Sequence, residues 1–408
     1  MRALIDSEVG RLRRVIVHTP GPEIETMTPR TAREVLYNDI IPMSEMRSEH
    51  GRLRDLLALV ADVHELRDLL AQALSHAEAR RRLIERLLPQ DARERRRSDL
   101  ELLDGGPLAD LVIGGLPPRR DTLSGFLSQR LFDFPPLPNL YFMRDGAAVI
   151  RDRVVCSSMA HNVRANEAAL VRTLFEADGP ITNGGIFSFS GATIEGGDVV
   201  VLRSNTLALG VSQRTTTSAV DQLAQDMKQC FHERPLHIFA VLLPAERYAI
   251  HLDMVFTAID RDLALVYGPA IVERDRFAVV AITIGTDDSV DIRYVDDLLS
   301  GLRRVGLSME PVLCGAGKAI VQEREQWLSG TNVLAVAPGV IIAHDCNDAT
   351  LEALSSAGFY VRPVEGFLTG SERVAFDRRT AITIPGTELA RGGGGVRCMT
   401  LPIERDPL

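Results

Sequence analysis

Between Arg391 and Met399 the chain reads RGGGGVRCM, which sets Cys398 behind four consecutive glycines and beside Arg397. A thiol does chemistry as thiolate. Nearby positive charge favours that form, and glycines let backbone fold closely around a ligand. Three further polar clusters stand at the starts of β-branched runs: residues 139–145 (NLYFMRD), 195–198 (EGGD) and 251–253 (HLD). Side chains two apart on a strand share a face, so His251 and Asp253 are expected to project together with Leu252 packed behind them. A pocket gathering Asp145, Glu195, His251, Asp253 and Cys398 would surround one thiol with three carboxylates, which raises the thiol pKa unless a cation completes the site. A planar guanidinium meets that requirement. Its N–H donors match paired carboxylates in bidentate geometry and leave its central carbon facing the sulfur. Phe142 offers a ring face on which the same cation can stack. With one histidine in the group and no second at ligand spacing, no metal site is expected.

Such a pocket needs elements that bring distant segments together. Strand-turn-strand patterns recur at 139–159 (turn at Asp152-Arg153), 195–212 (around Ser204-Asn205), 251–268 (near Arg261-Asp262) and 332–344 (at Pro338-Gly339), while residues 13–18 begin a fifth. A helical pattern follows each hairpin. Repetition of this kind argues for radial units that protect their sheet edges, with equivalent edges converging on one axis. The expected fold class is α/β, a small propeller-like body. Residues 51–116 differ: Leu53, Leu56, Leu57, Val60, Val63, Leu66, Leu69, Leu70 and Leu74 recur at helical spacing, punctuated by Pro89 and Gly105-Gly106-Pro107. This stretch reads as a helical insertion after the first strand unit. A doubly wound sheet is the alternative, but no GxGxxG opens a helix after a strand.

At 408 residues, with 45% hydrophobic and 25% charged content, the chain can bury a large core. A net charge of −9 and one short basic run at 93–97, expected on solvated helix surface, show no nucleic-acid footprint. No apolar stretch has signal-peptide or membrane-spanning character, so no membrane partner and a cytoplasmic location are expected. Cys156, Cys230, Cys314, Cys346 and Cys398 form no CxxC pair, so reduced thiols are expected rather than disulfides or a cysteine-based zinc site.

Five segments, PNLYFMRD (138–145), IEGGDVVVL (194–202), HLDMVFT (251–257), REQWLSGTNVLAVAPGVIIAHD (324–345) and GGGGVRCMTLPI (392–403), run in order over nearly the whole chain. As a set they resemble the arginine deiminases of the guanidino-group modifying superfamily. The resemblance implies a five-bladed pseudo-symmetric ββαβ propeller formed by residues 1–64 and 132–408, with residues 65–131 as an inserted α-helical domain. It also implies hydrolysis of L-arginine to L-citrulline and ammonia with no cofactor, and leaves a homo-oligomer open. By the same resemblance Cys398 is the nucleophile, Asp145 and Asp253 hold the guanidinium, Glu195 supports His251, and His251 is the acid and base. Arg164 and Arg214 match residues that clamp the substrate carboxylate, and Asn139, Phe142, Asp198 and Gly392 complete the expected substrate contacts. One position departs: several bacterial members carry arginine five residues before the cysteine, where this chain has Gly393. The alternatives are an amidinotransferase, a deiminase of a related guanidine, and a non-catalytic propeller that binds a partner.

Overall fold

Short runs such as VVVL at 199–202 and VIIA at 340–343 are apolar throughout and buried throughout, so they form strands covered on both faces rather than alternating ones. The computed structural model describes residues 1–37, 39–88, 96–97, 99–127, 129, 131–273 and 277–408, and within these the strands make five sheets. Each sheet is built on one plan, an antiparallel pair, a helical crossover, then a strand parallel to the second member of the pair, and two of the sheets add strands to it: Val279–Ile284 and Val290–Val295 in one, Tyr360–Pro363 in the other. Ala147–Ile150 and Arg153–Cys156 pair this way, and Ile186–Phe187 joins after the helix Ala165–Thr173. Val199–Arg203 and Thr206–Val211 follow, joined by Leu236–Leu242 after the helix Thr217–Cys230. Phe256–Ala258 and Leu263–Val266 take Glu310–Leu313 as their third strand, and Leu334–Ala337 and Val340–His344 take Thr380–Ile384. The fifth unit joins opposite ends of the sequence. Leu401–Arg405 pairs antiparallel with Leu12–Val17, and Asp62–Glu65 adds in parallel after the helix Met43–Ala58.

A strand interrupts the helical periodicity of residues 51–116. Val63 lies in the strand Asp62–Glu65 opposite Val15, not on a helix. A spacing of three and four residues carries Val60 and Val63 into the helical pattern, while the partner strand that overrides it lies far away in sequence. Helices Leu66–Ala73, Ala77–Leu87 and Gly105–Gly114 do follow, and their buried Leu70, Leu83 and Leu108 share one core with Val149, Leu170 and Leu174. Among the described residues no helix is long and apolar enough to cross a membrane. Pro89 and most of the basic run at 93–97 lie outside the described residues. Of that run, Arg97 is exposed beside Glu101, but Arg96 is largely covered and paired with Asp133, so the expectation of solvated surface fails there.

Two further local expectations shift. The first hairpin turns at Arg151-Asp152, one residue early, with Arg151 in the left-handed region at φ 55. Residues 139–145 form turns and the short helix Met143–Gly146 instead of a strand, and Leu252–Met254 is a 3-10 turn following an extended His251. Strand alternation therefore does not explain how His251 and Asp253 come to the site. The polar clusters sit just before the strands, where backbone turns free side chains to face a common centre.

Candidate active site

The segment carrying Cys398 follows the short helix Thr387–Arg391 and passes very close to its neighbours. Gly393 adopts φ +100, and a Cβ on Gly394 would stand 2.5 Å from the Phe142 ring, so both positions need glycine. Asn332, just before the strand Leu334–Ala337, fixes the segment from the other side. Its Oδ1 accepts from the Cys398 N–H at 3.0 Å, and its Nδ2 donates to the Asp253 carbonyl at 3.2 Å. The Cys398 Sγ then lies 3.7 Å from Asp253 Oδ2. That same oxygen accepts from Arg397 Nη1 at 2.8 Å, and Arg397 continues to Glu8 and the Val199 carbonyl. Arg397 is 1% exposed, so this is a buried chain of alternating charges, with Glu8 contributed from near the N-terminus.

His251 is held on the opposite wall. Its Nε2 lies 2.9 Å from Glu195 Oε2, and its Nδ1 stands 3.6 Å from Asp145 Oδ1. Glu195 also accepts from the Ala160 N–H at 3.1 Å and lies 3.5 Å from Arg214 Nη1. Asp198 is fully buried and lies outside the cavity lining: it accepts from the Leu252 N–H at 2.8 Å and from the Ser212 hydroxyl at 2.7 Å. Asp198 thus forms a strut under the His251 segment, behind the lining as Asp253 and Glu195 also are. Gly197 permits the packing, since a Cβ there would fall 2.6 Å from the imidazole.

Asp145, Phe142, Asn139, Arg164, Arg214, His251, Gly392 and Cys398 all line one cavity of about 500 Å³. Asp253 and Glu195 stand behind it, supporting Cys398 and His251. Two lining residues are engaged with the protein itself. Asn139 Nδ2 donates to the Val35 carbonyl at 2.8 Å, and Arg164 bridges Asp145 and Glu167. Sequence reasoning missed Arg33, Leu36 and Tyr37, which line the cavity from a segment without any motif, and also missed Arg247, four residues before His251.

Electrostatics separates the two walls. Burial raises the Cys398 thiol well above its usual pKa, and the Asp253 and Asp145 charges raise it further. Burial alone would lower His251, but Asp145, the hydrogen bond to Glu195, and Asp198 outweigh it and lift the imidazolium to about 9. Glu195 moves the other way: burial opposes ionisation, yet His251 and Arg214 hold it below the ordinary carboxylate range. At neutral pH the resting site thus holds a thiol facing an imidazolium. Three buried atoms around them, Asp145 Oδ1, Asp253 Oδ1 and His251 Nδ1, have no hydrogen-bond partner. Ligand atoms of Asp145, Glu195 and His251 lie within 4.8 Å of one another, but a protonated histidine bonded to a carboxylate is a poor metal ligand.

Comparison with known proteins gives the same direction from independent information. A family model described as arginine deiminase matches residues 119–405. The arginine deiminase of Mycobacterium tuberculosis (strain H37Rv) is 33% identical over 423 aligned residues, covering 99% of this chain and 98% of that one. Among solved structures, the N-terminal domain of ArgZ covalently bound to a reaction intermediate superposes with a TM-score of 0.53 at 14% identity, covering 96% of this chain and 98% of that domain. DDAH from Pseudomonas aeruginosa complexed with citrulline superposes at 0.51 and 11% identity, covering 96% of this chain and 99% of that one. These two likenesses concern the fold alone, which is mixed α/β, whereas the family match and the full-length identity concern the sequence itself. With both in hand, the chain belongs to the arginine deiminase family.

Proposed function

We propose that the chain hydrolyses L-arginine to L-citrulline and ammonia through a covalent cysteine intermediate. The observation that carries this reading is the group of unpartnered acceptors around Sγ: a guanidinium supplies the donors that Asp145 Oδ1 and Asp253 Oδ1 lack and brings the missing positive charge. Binding of that cation lowers the thiol pKa, so the Cys398 proton passes to solvent water and the thiolate attacks the guanidinium carbon. The tetrahedral adduct expels ammonia as the His251 imidazolium donates a proton to the departing nitrogen, leaving an S-alkylthiouronium. The now neutral His251 takes a proton from water and the resulting hydroxide adds to the same carbon; collapse breaks the C–S bond as the adduct's hydroxyl proton passes to the departing sulfur, releasing citrulline and restoring the Cys398 thiol and the His251 imidazolium. Glu195 keeps the imidazole aligned through both steps. At the amino-acid end Arg214 faces the cavity with one long contact to Glu195, and Arg164 faces it from its bridge between Asp145 and Glu167. Asn139, Phe142 and Gly392 also line the cavity.

The five repeated sheet units support a five-bladed propeller of residues 1–64 and 132–408 carrying residues 65–131 as a helical insertion. Pairing of the last strand with the first is what a radial arrangement needs to close. Five free cysteines suit a reducing compartment, and we assign the reaction to the cytoplasm on that ground. A net charge of −9 suits neither nucleic acid nor an anionic membrane as partner.

The test is an arginine assay that follows ammonia and citrulline, with and without an acceptor amine. Citrulline and ammonia in equal amounts are expected, unaffected by the amine; transfer to the amine would instead indicate an amidinotransferase. Cys398→Ala should lower turnover by about three powers of ten or more while arginine binding persists. Mass spectrometry of acid-quenched wild-type enzyme should find the amidino adduct on the peptide containing Cys398. An adduct on any other cysteine would overturn the assignment.

A further inference from the structure

Arg247 lines the same cavity and is the half-buried arginine there for which the described residues offer no carboxylate. It is rigidly mounted. The 3-10 turn Arg247–Ala249 leads directly into His251, and Gln326 Nε2 donates to the Tyr248 carbonyl at 2.9 Å and to the Met254 carbonyl, clamping both ends of that stretch. The next residue, Trp327, lies under the guanidinium, with the Arg247 carbon 4.7 Å from the ring centroid. Room for the side chain comes from Gly393: a Cβ there would stand 3.1 Å from Arg247 Nη2.

The other cavity arginines are less available. Arg164 bridges two buried carboxylates and Arg214 leans on Glu195, so part of each positive charge is already compensated. Arg33 also lines the cavity, but it is exposed and screened by water. A guanidinium held by stacking on an aromatic ring keeps its N–H fork free for a planar anion. We propose that Arg247 is a specificity-determining residue that receives the carboxylate at the amino-acid end of the substrate, with Trp327 and Gly393 as its mount. The inference rests on arginine being the substrate.

The test compares L-arginine with agmatine, the same guanidine without the carboxylate, for wild type, Arg247→Met and Arg247→Lys. Met keeps much of the apolar stem against Trp327. The expected result is a fall in kcat/KM for arginine of roughly tenfold to a hundredfold in Arg247→Met, mainly through KM, with agmatine changed by less than about twofold. Arg247→Lys should recover part of the loss. Where agmatine turns over too slowly, its inhibition constant against arginine replaces kcat/KM. Equal losses on both ligands would make Arg247 a structural residue, and no loss on arginine would leave it without a role in binding; either overturns the inference. Circular dichroism and Tm of both variants separate misfolding from these outcomes, the lysine variant serving if the methionine variant does not fold. Failure of the reaction itself reads differently, as a wild-type enzyme that releases no citrulline from arginine.

Discussion

His251 and Cys398 face one cavity, yet their surroundings prepare them to different degrees. On the His251 wall, Glu195 and Asp145 stabilise the imidazolium, the form needed to protonate departing ammonia. On the Cys398 wall, burial and then the Asp253 and Asp145 charges oppose the thiolate, the form that would attack in the proposed reaction. Under the proposed mechanism, the acid is ready at rest and the nucleophile is not. In the proposed reaction the carboxylates that help suppress the thiolate also hold the guanidinium, so the ligand that is attacked is the one that relieves the suppression. An empty site built this way keeps its thiol protonated, which protects it from the oxidation and alkylation that thiolates undergo.

Breaking the Cys398 support should have the larger effect. Arg397→Met removes the cation between two buried carboxylates, leaving Asp253 without its ion pair and Glu8 with only the longer contact to Arg144, a change expected to destabilise the fold by about 3–5 kcal/mol. Urea unfolding measures it. Adding Glu8→Gln should recover part of the loss, and a double variant no more stable than Arg397→Met would show that charge compensation is not what Arg397 supplies.

Glu195→Gln tests the other wall and should cost less, a fall in turnover of roughly tenfold to a hundredfold. The His251 pKa is raised on folding, so its contribution to stability is complete below its unfolded value of 6.5 and is lost as pH rises through about 9. Turnover needs the imidazolium and should decline over the same alkaline range, as a macroscopic property of coupled groups. Replacing Glu195 should move both the stability loss and the alkaline limb of the rate to lower pH. Unchanged pH profiles would separate Glu195 from His251.

The residues gathered at the candidate site were legible because each sits in a short run whose polarity is out of place beside a strand: Asp145, Glu195, His251 and Cys398 could all be named from local context. Their supports could not. Glu8 and Arg397 are separated by 389 residues, and Asn332 reaches Cys398 across 66, so no local pattern marks either contact. The recurring hairpins were visible in their turns at 204–205 and 338–339, but the mate of the first strand was not, because it lies at the opposite end of the sequence. The bond from the Leu252 N–H to Asp198 was hidden for a related reason: buried and cavity-lining carboxylates look alike in sequence, and the backbone N–H that meets this one is supplied only by the fold.

The smallest expected effect is also the most direct test of unequal preparation. Asp253→Asn keeps an oxygen to accept from Arg397 Nη1 but removes the negative charge 3.7 Å from Sγ. Arg397 remains nearby and lowers the thiol pKa, so the balance around Cys398 moves toward the thiolate even as guanidinium binding weakens. Ultraviolet thiolate absorbance, titrated against pH and corrected with Cys398→Ala in the same background, should rise at lower pH in Asp253→Asn than in wild type. A non-reactive guanidine added to wild type should shift the curve in the same direction, by supplying positive charge instead of removing negative charge. If neither change increases the thiolate signal, the carboxylates do not hold this cysteine in reserve, and the contrast between the two walls is one of position alone.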